Sequence, residues 1–168
     1  MILTIFLCVV VCAAASLMMV SGIAFIQDIK MFSSAPKEAR EVLQPRDEEL
    51  FYGARTLGWV LMIFSILMIV GALVVAFLDS VRNGYTFWQT FFRFVIMFSV
   101  YKLYDMIFFD YYLLMKFHFF QHYYPEVESV FADPNRKYGF NIKSQLLKLF
   151  IFFPAISALV AWICTFFV

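Results

Sequence analysis

Apolar residues fall into four long runs, 2–26, 59–78, 86–115 and 149–168, instead of the alternating or 3.6-residue patterns of a half-buried soluble element. At about 1.5 Å of rise per residue, each run can cross a hydrocarbon layer about 30 Å thick. The pattern predicts helices over 2–26, 56–78, 86–115 and 146–168, an all-α, four-transmembrane-helix bundle forming a single domain over 1–168. Two longer connections, 28–55 and 116–145, separate the first pair and the last pair of helices, and Asn83-Gly84 supplies a tight turn between the second and third. The first run carries small residues at Ala13, Ala14 and Ala15, as a secretory cleavage site does. It lacks a basic start, however, and outlasts the roughly 7–15 residues of a signal core, so it reads as a retained helix.

Composition agrees with the pattern: 64% of residues are hydrophobic, mean hydropathy is +0.83 and 15% are charged, which excludes a soluble domain of ordinary make-up. The net charge of +1 conceals an uneven distribution. Lys30, Lys37, Arg40, Arg46 and Arg55 lie between runs one and two, and Lys116, Arg136, Lys137, Lys143 and Lys148 lie between runs three and four, whereas the opposite side has Arg82. By the positive-inside rule both connections are expected in the cytoplasm, with the N and C termini outside. Trp88 and Trp162 then fall near the outer interface and Trp59 near the inner one.

Small residues four apart mark possible helix seams at Ala54 and Gly58, Ala72 and Ala76, and Ser157 and Ala161. Pro154 is expected to bend the fourth helix. In the first connection, Ser33, Ser34 and Pro36 look like a helix opening, and Asp47, Glu48 and Glu49 suit the start of helix two ahead of Trp59. No internal repeat appears, so any transport symmetry comes from assembly, either a homo-oligomer or a partner membrane protein in the lipid bilayer.

The third run departs from the other three because it holds Arg93, Lys102, Asp105 and Asp110. A charge at the bilayer centre costs about 2.5–3.5 kcal/mol on insertion scales, so each of these needs a partner, water or a task. At about 100° per residue with Asp105 as origin, Lys102 falls near 60°, Tyr101 near 320° and Tyr112 near 340°, all on one face. Asp110 then points about 140° away and Arg93 about 120° the other way. These six residues are the candidate intramembrane polar site: Lys102 tuning the charge of Asp105, Asp110 at a cytoplasmic mouth, Arg93 in the outer half. The site suits a proton, a small ion or a polar solute.

Beyond the run lies a cytoplasmic rim of His118, His122, Glu126, Glu128 and Lys143. His118 and His122, four apart, can share a helix face, and with Glu126 they are the weak metal candidates. Phe119 stands where a zinc peptidase places its Glu, and two histidines are too few for a membrane di-iron enzyme. Cys8, Cys12 and Cys164 form no CxxC pair, which leaves them as small apolar residues. No phosphate-binding Gly-rich loop, serine-nucleophile motif or nucleic-acid stripe is present, and no cofactor is identified. Whether the chain is an enzyme stays open; a metal-dependent enzyme acting on a lipid or isoprenoid headgroup at the inner leaflet, with Asp105, Asp110 and the rim as ligands, is the alternative to a transport site. An accessory subunit of a membrane complex is a further one.

Tyr104-Asp105 through Phe109-Asp110-Tyr111, then Pro125-Glu126-Val127-Glu128, then Tyr138-Gly139-Phe140-Asn141-Ile142-Lys143 together resemble a pattern found in uncharacterised small four-helix membrane proteins of bacteria. In that pattern two Asp five apart close the third helix, a Pro-x-x-Glu stretch follows, and an aromatic stretch with His and Lys opens the fourth. Asn141 stands in place of that His. The resemblance covers a minor part of the chain and implies no activity. It implies a bacterial cytoplasmic membrane location, and that Asp105, Asp110, Glu128 and Lys143 belong to one unit at the cytoplasmic ends of helices three and four.

Overall fold

The computed structural model describes residues 1–32, 37–132 and 142–167, with side chains omitted at 31 and 32, and every element among them is helical. Ser33, Ser34 and Pro36, the expected helix opening, lie outside the described residues, as do Arg136, Lys137 and the 138–141 part of the family-like stretch. The elements are α1 (Ile2–Val20) continuing as a π turn (Ser21–Ile26), a 3-10 turn (Ile29–Phe32), α2 (Lys37–Val42) and α3 (Ala54–Arg82). After them come α4 (Phe87–Tyr104) with a π continuation (Asp105–Lys116), α5 (Phe119–Tyr123), a 3-10 turn (Pro125–Val127), α6 (Glu128–Phe131), α7 (Ile142–Leu147), a π turn (Lys148–Phe152) and α8 (Phe153–Cys164).

Three helices among the described residues are long and apolar enough to cross a membrane: Ile2–Ile26, Ala54–Arg82 and Ile142–Cys164. They match runs one, two and four. The third run is helical from Phe87 to Lys116, yet it falls outside this class. Its polar positions, Gln89, Arg93, Lys102, Asp105 and Asp110 among them, dilute its apolar content. The helical, membrane-associated class is thus present, with three candidate spans among the described residues and the third run set apart by its charges.

The chain divides into two compact units. The first comprises Met1–Ala14, Leu67–Tyr104 and Ile142–Val168. Its core joins Leu7, Cys8 and Val11 of α1, Ala72 and Ala76 of α3, and Phe94 and Met97 of α4. Against α4 lies α8, whose buried stripe of Ser157, Ala161 and Cys164 lets the two backbones approach. Phe98 stacks on Phe153 at 5.5 Å, and the Thr90 hydroxyl reaches the Cys164 sulfur at 4.0 Å. Pro154, which has no N–H to donate, sits in the first turn of α8, directly after the π turn Lys148–Phe152.

The second unit comprises Ala15–Ile66 and Asp105–Asn141. Ile23, Ala39, Leu43, Phe120, Tyr124, Val127 and Phe131 form its core, so residues from both longer connections pack on one another and on the end of helix one. The described part of the first connection is therefore packed, through Ala39 and Leu43. Gly58 shows why helices one and two meet so closely here: a Cβ at that position would stand 2.8 Å from both Ile26 Cγ1 and Phe25 Cβ and 3.0 Å from the Ile26 nitrogen. Only glycine fits. Buried hydroxyls throughout the spans bond back along their own helices, Ser21 to the Leu17 carbonyl at 2.6 Å, Ser65 to Leu61 at 2.7 Å and Ser157 to Phe153 at 2.8 Å, which satisfies them without water.

Candidate functional site

The charged helix begins at a well-specified turn. Gly84, at φ +62°, donates its N–H to the Val81 carbonyl while Tyr85 donates to Ser80, the paired bonds of a Schellman ending for α3. Thr86 and Gln89 then cap α4 reciprocally: the Thr86 N–H donates to Gln89 Oε1 at 2.9 Å and the Gln89 N–H to Thr86 Oγ1 at 3.4 Å. This hairpin fixes the register of α3 against α4, and the register brings Asp79 to Arg93.

Arg93 is 5% exposed. Its Nη1 donates to Asp79 Oδ2 at 2.6 Å and to Ser80 Oγ at 3.2 Å, and the guanidinium carbon lies 5.6 Å from the centre of the Tyr85 ring. Asp79 also accepts from Asn83 Nδ2 at 3.0 Å, so both carboxylate oxygens are engaged. Arg93 is thereby neutralised within its own hairpin. Its role is to lock α3 to α4 beneath the turn.

Lys102 is 6% exposed on α4, and Tyr101 beside it packs against the core of the first unit. Asp105 opens the π-helical stretch Asp105–Lys116, which runs for 12 residues. Asp105 and Asp110 are both partly buried, Phe109 is buried, and Tyr112 is 45% exposed with its ring edge-on to Tyr111 at 5.3 Å. The π geometry revises the angular placement read from the sequence. Bonds from residue i to i+5, as from the Phe117 N–H to the Tyr112 carbonyl at 2.8 Å, put more residues in each turn, so positions five apart lie closer in angle than they do on an α-helix. Asp110 therefore rotates from the far side of the helix toward the face of Asp105. Tyr112 in turn rotates away from it.

The rim residues divide. His118 and His122 are exposed, with His118 in the left-handed region at φ +51° and its carbonyl accepting the His122 N–H. Glu126 pairs with Arg46 of the first connection at 2.7 Å and also accepts the Gln44 N–H at 3.2 Å. Glu128 is exposed at the start of α6, and Lys143 is exposed on α7 in the first unit. Among the described residues no three His, Cys, Asp or Glu side chains are placed to hold a metal ion, so His118, His122 and Glu126 do not form such a group. Tyr124, fully buried behind the Arg46–Glu126 pair, has its phenol pushed well above the usual range by loss of solvent, with the Arg46 charge opposing the shift.

Sequence reading missed Asp79 and the partnership of Arg46 with Glu126. Asp79 stands about one helical turn before Asn83-Gly84 and Arg93 about two turns after the Thr86 cap, so counting outward from the hairpin finds the pair. No comparable signal points to Arg46 and Glu126, which are 80 residues apart. Comparison with family models, curated proteins and solved structures found no match.

Proposed function

We propose that the chain is a four-crossing protein of a bacterial cytoplasmic membrane whose third crossing, Phe87–Lys116, carries a polar site for a proton, small ion or polar solute, open to the cytoplasm. The observation that carries this reading is the pair of partly buried carboxylates, Asp105 and Asp110, five residues apart on a π-helical stretch. Such stretches are rare, usually last one turn and concentrate at functional sites. Lys102 supports it as a cation 6% exposed in the same run of sequence, where membrane insertion alone would select an apolar residue. The 18 residues of α4 and 12 of the π stretch together exceed the roughly 20 needed for a span. Both longer connections are assigned to the cytoplasm and both termini to the outside by their Lys and Arg content.

One bundle of this size leaves little room for a hydrated path, so the site functions in an oligomer or beside a partner membrane protein. The exposed apolar faces of α3 and α8 are available to lipid or to such a neighbour. Reconstitution into liposomes enclosing a pH-sensitive dye, with an imposed potential, tests the reading. Proton or ion flux that falls at least about tenfold in Asp105→Asn and Asp110→Asn supports it, following the cost of losing a charged group from its site. Flux unchanged in both variants, with the proteins folded, contradicts it.

A further inference from the structure

Within the second unit, helix one ends and helix two begins around a cleft of about 470 Å³, a size suited to a small polar headgroup. Its walls bring together Ile26, Asp28, Lys30, Arg46, Arg55 and Trp59. Three cations thus share one concavity, opposed by Asp28 in the wall and by Glu126 behind Arg46. The balance remains positive.

Local structure holds these cations in place. Gln27, at φ +54°, ends the π turn with its N–H on the Gly22 carbonyl at 3.0 Å, and the Asp28 carboxylate accepts the Lys30 N–H at 2.9 Å, which turns the chain across the mouth. Arg55 Nη2 donates to the Arg46 carbonyl at 3.0 Å and so ties the end of the connection to the start of α3. Arg46 commits Nη2 to Glu126 and to the Tyr123 carbonyl. Its Nε is buried and donates to nothing among the described residues. The guanidinium groups of Arg46 and Arg55 and the ammonium of Lys30 give the cleft wall the charge-assisted donors that a phosphate accepts from.

The cleft also lies at the level where two apolar spans begin. Trp59, 43% exposed, stands beside it, and Ile63, one turn further along α3 and 55% exposed, continues an apolar track away from the charges. Indole rings favour the headgroup layer, and Lys or Arg near a span end attracts anionic lipid. We propose that this cleft binds a phosphate group, the headgroup of an anionic phospholipid, through Lys30, Arg46 and Arg55, with an acyl chain lying along Trp59 and Ile63. The site is separate from Asp105 and Asp110 and requires no metal.

Binding is read from the Trp59 fluorescence of the full chain in neutral detergent, with Trp88 and Trp162 changed to Phe. The probes are phosphatidylglycerol, phosphatidylcholine and soluble glycerol phosphate. Saturable binding of phosphatidylglycerol over phosphatidylcholine is expected, weakened about fivefold or more in each of Lys30→Gln and Arg55→Gln, with Lys37→Gln unchanged. Lys30→Gln keeps the argument independent of folding, since the contact holding that turn is the backbone N–H of residue 30 and survives the change. Glycerol phosphate that competes at the same cations supports the phosphate site with a soluble source, and a response to lipid alone supports it with a membrane source. Equal response to both lipids, or binding that ignores the loss of Lys30 and Arg55, overturns it.

Discussion

Asp79→Asn replaces the partner of Arg93 with a group of the same shape and no charge. In the native protein Arg93, with a side chain 4% exposed, donates to Asp79 at 2.6 Å and to Ser80 at 3.2 Å; in the variant the second bond and the Tyr85 ring remain, but the positive charge has no counterion. Two charge centres about 4 Å apart in surroundings of effective dielectric about 20 interact by about 4 kcal/mol. Asp79 keeps 26% of its side chain exposed, so water offsets part of that, and the expected loss is about 2–3 kcal/mol. Arg93→Met alone should cost a similar amount by orphaning the carboxylate. The double variant Asp79→Asn with Arg93→Met should recover to within about 1 kcal/mol of the native protein, because removing both members of a buried pair is often close to neutral. Unfolding in mixed micelles titrated with dodecyl sulfate, followed by circular dichroism, measures all three. Additive losses in the double variant would refute the pairing.

Two further outcomes follow from named contacts. Gly58→Ala forces a Cβ against the Ile26 backbone and is expected to destabilise by about 1–3 kcal/mol in the same unfolding assay, whereas Gly71→Ala, with open space around it, should not destabilise. Tyr124, whose folded phenol titrates above its ordinary value of 10.0, contributes stability that is complete below pH 10 and is lost as pH rises toward the folded value; thermal unfolding in detergent above pH 10 should decline by up to about 1.4 kcal/mol per pH unit, and Tyr124→Phe should remove that part of the decline.

Much of the architecture was legible because a bilayer imposes simple demands. Length and apolarity located the helices, Asn83-Gly84 located the hairpin, and Gly58 lies where helix two meets the end of helix one. The π segments were not legible. Periodicity at 100° per residue assumes an α-helix throughout, and so sets Asp110 about 140° from a face toward which the wider helix turns it. The partners of charged residues were legible only where a tight turn sets the register, as for Asp79 and Arg93. Arg46 meets Glu126 across 80 residues of sequence, through the docking of two connections whose polar composition resembles that of solvated loops.

The placement of Phe87–Lys116 across the bilayer underlies the proposed site, and thiol accessibility tests it directly. In a background with Cys8, Cys12 and Cys164 replaced, single cysteines at Ile96, Leu103 and Ile107 occupy positions 45%, 46% and 55% exposed on the protein surface, so the chain itself does not shield them and the surrounding bilayer, with any neighbouring subunit in it, must. In intact membranes all three should resist a membrane-impermeant maleimide added from either side, and should react once the protein is unfolded in dodecyl sulfate. Rapid labelling of Leu103→Cys and Ile107→Cys in the native membrane would place this helix in water and remove the intramembrane site.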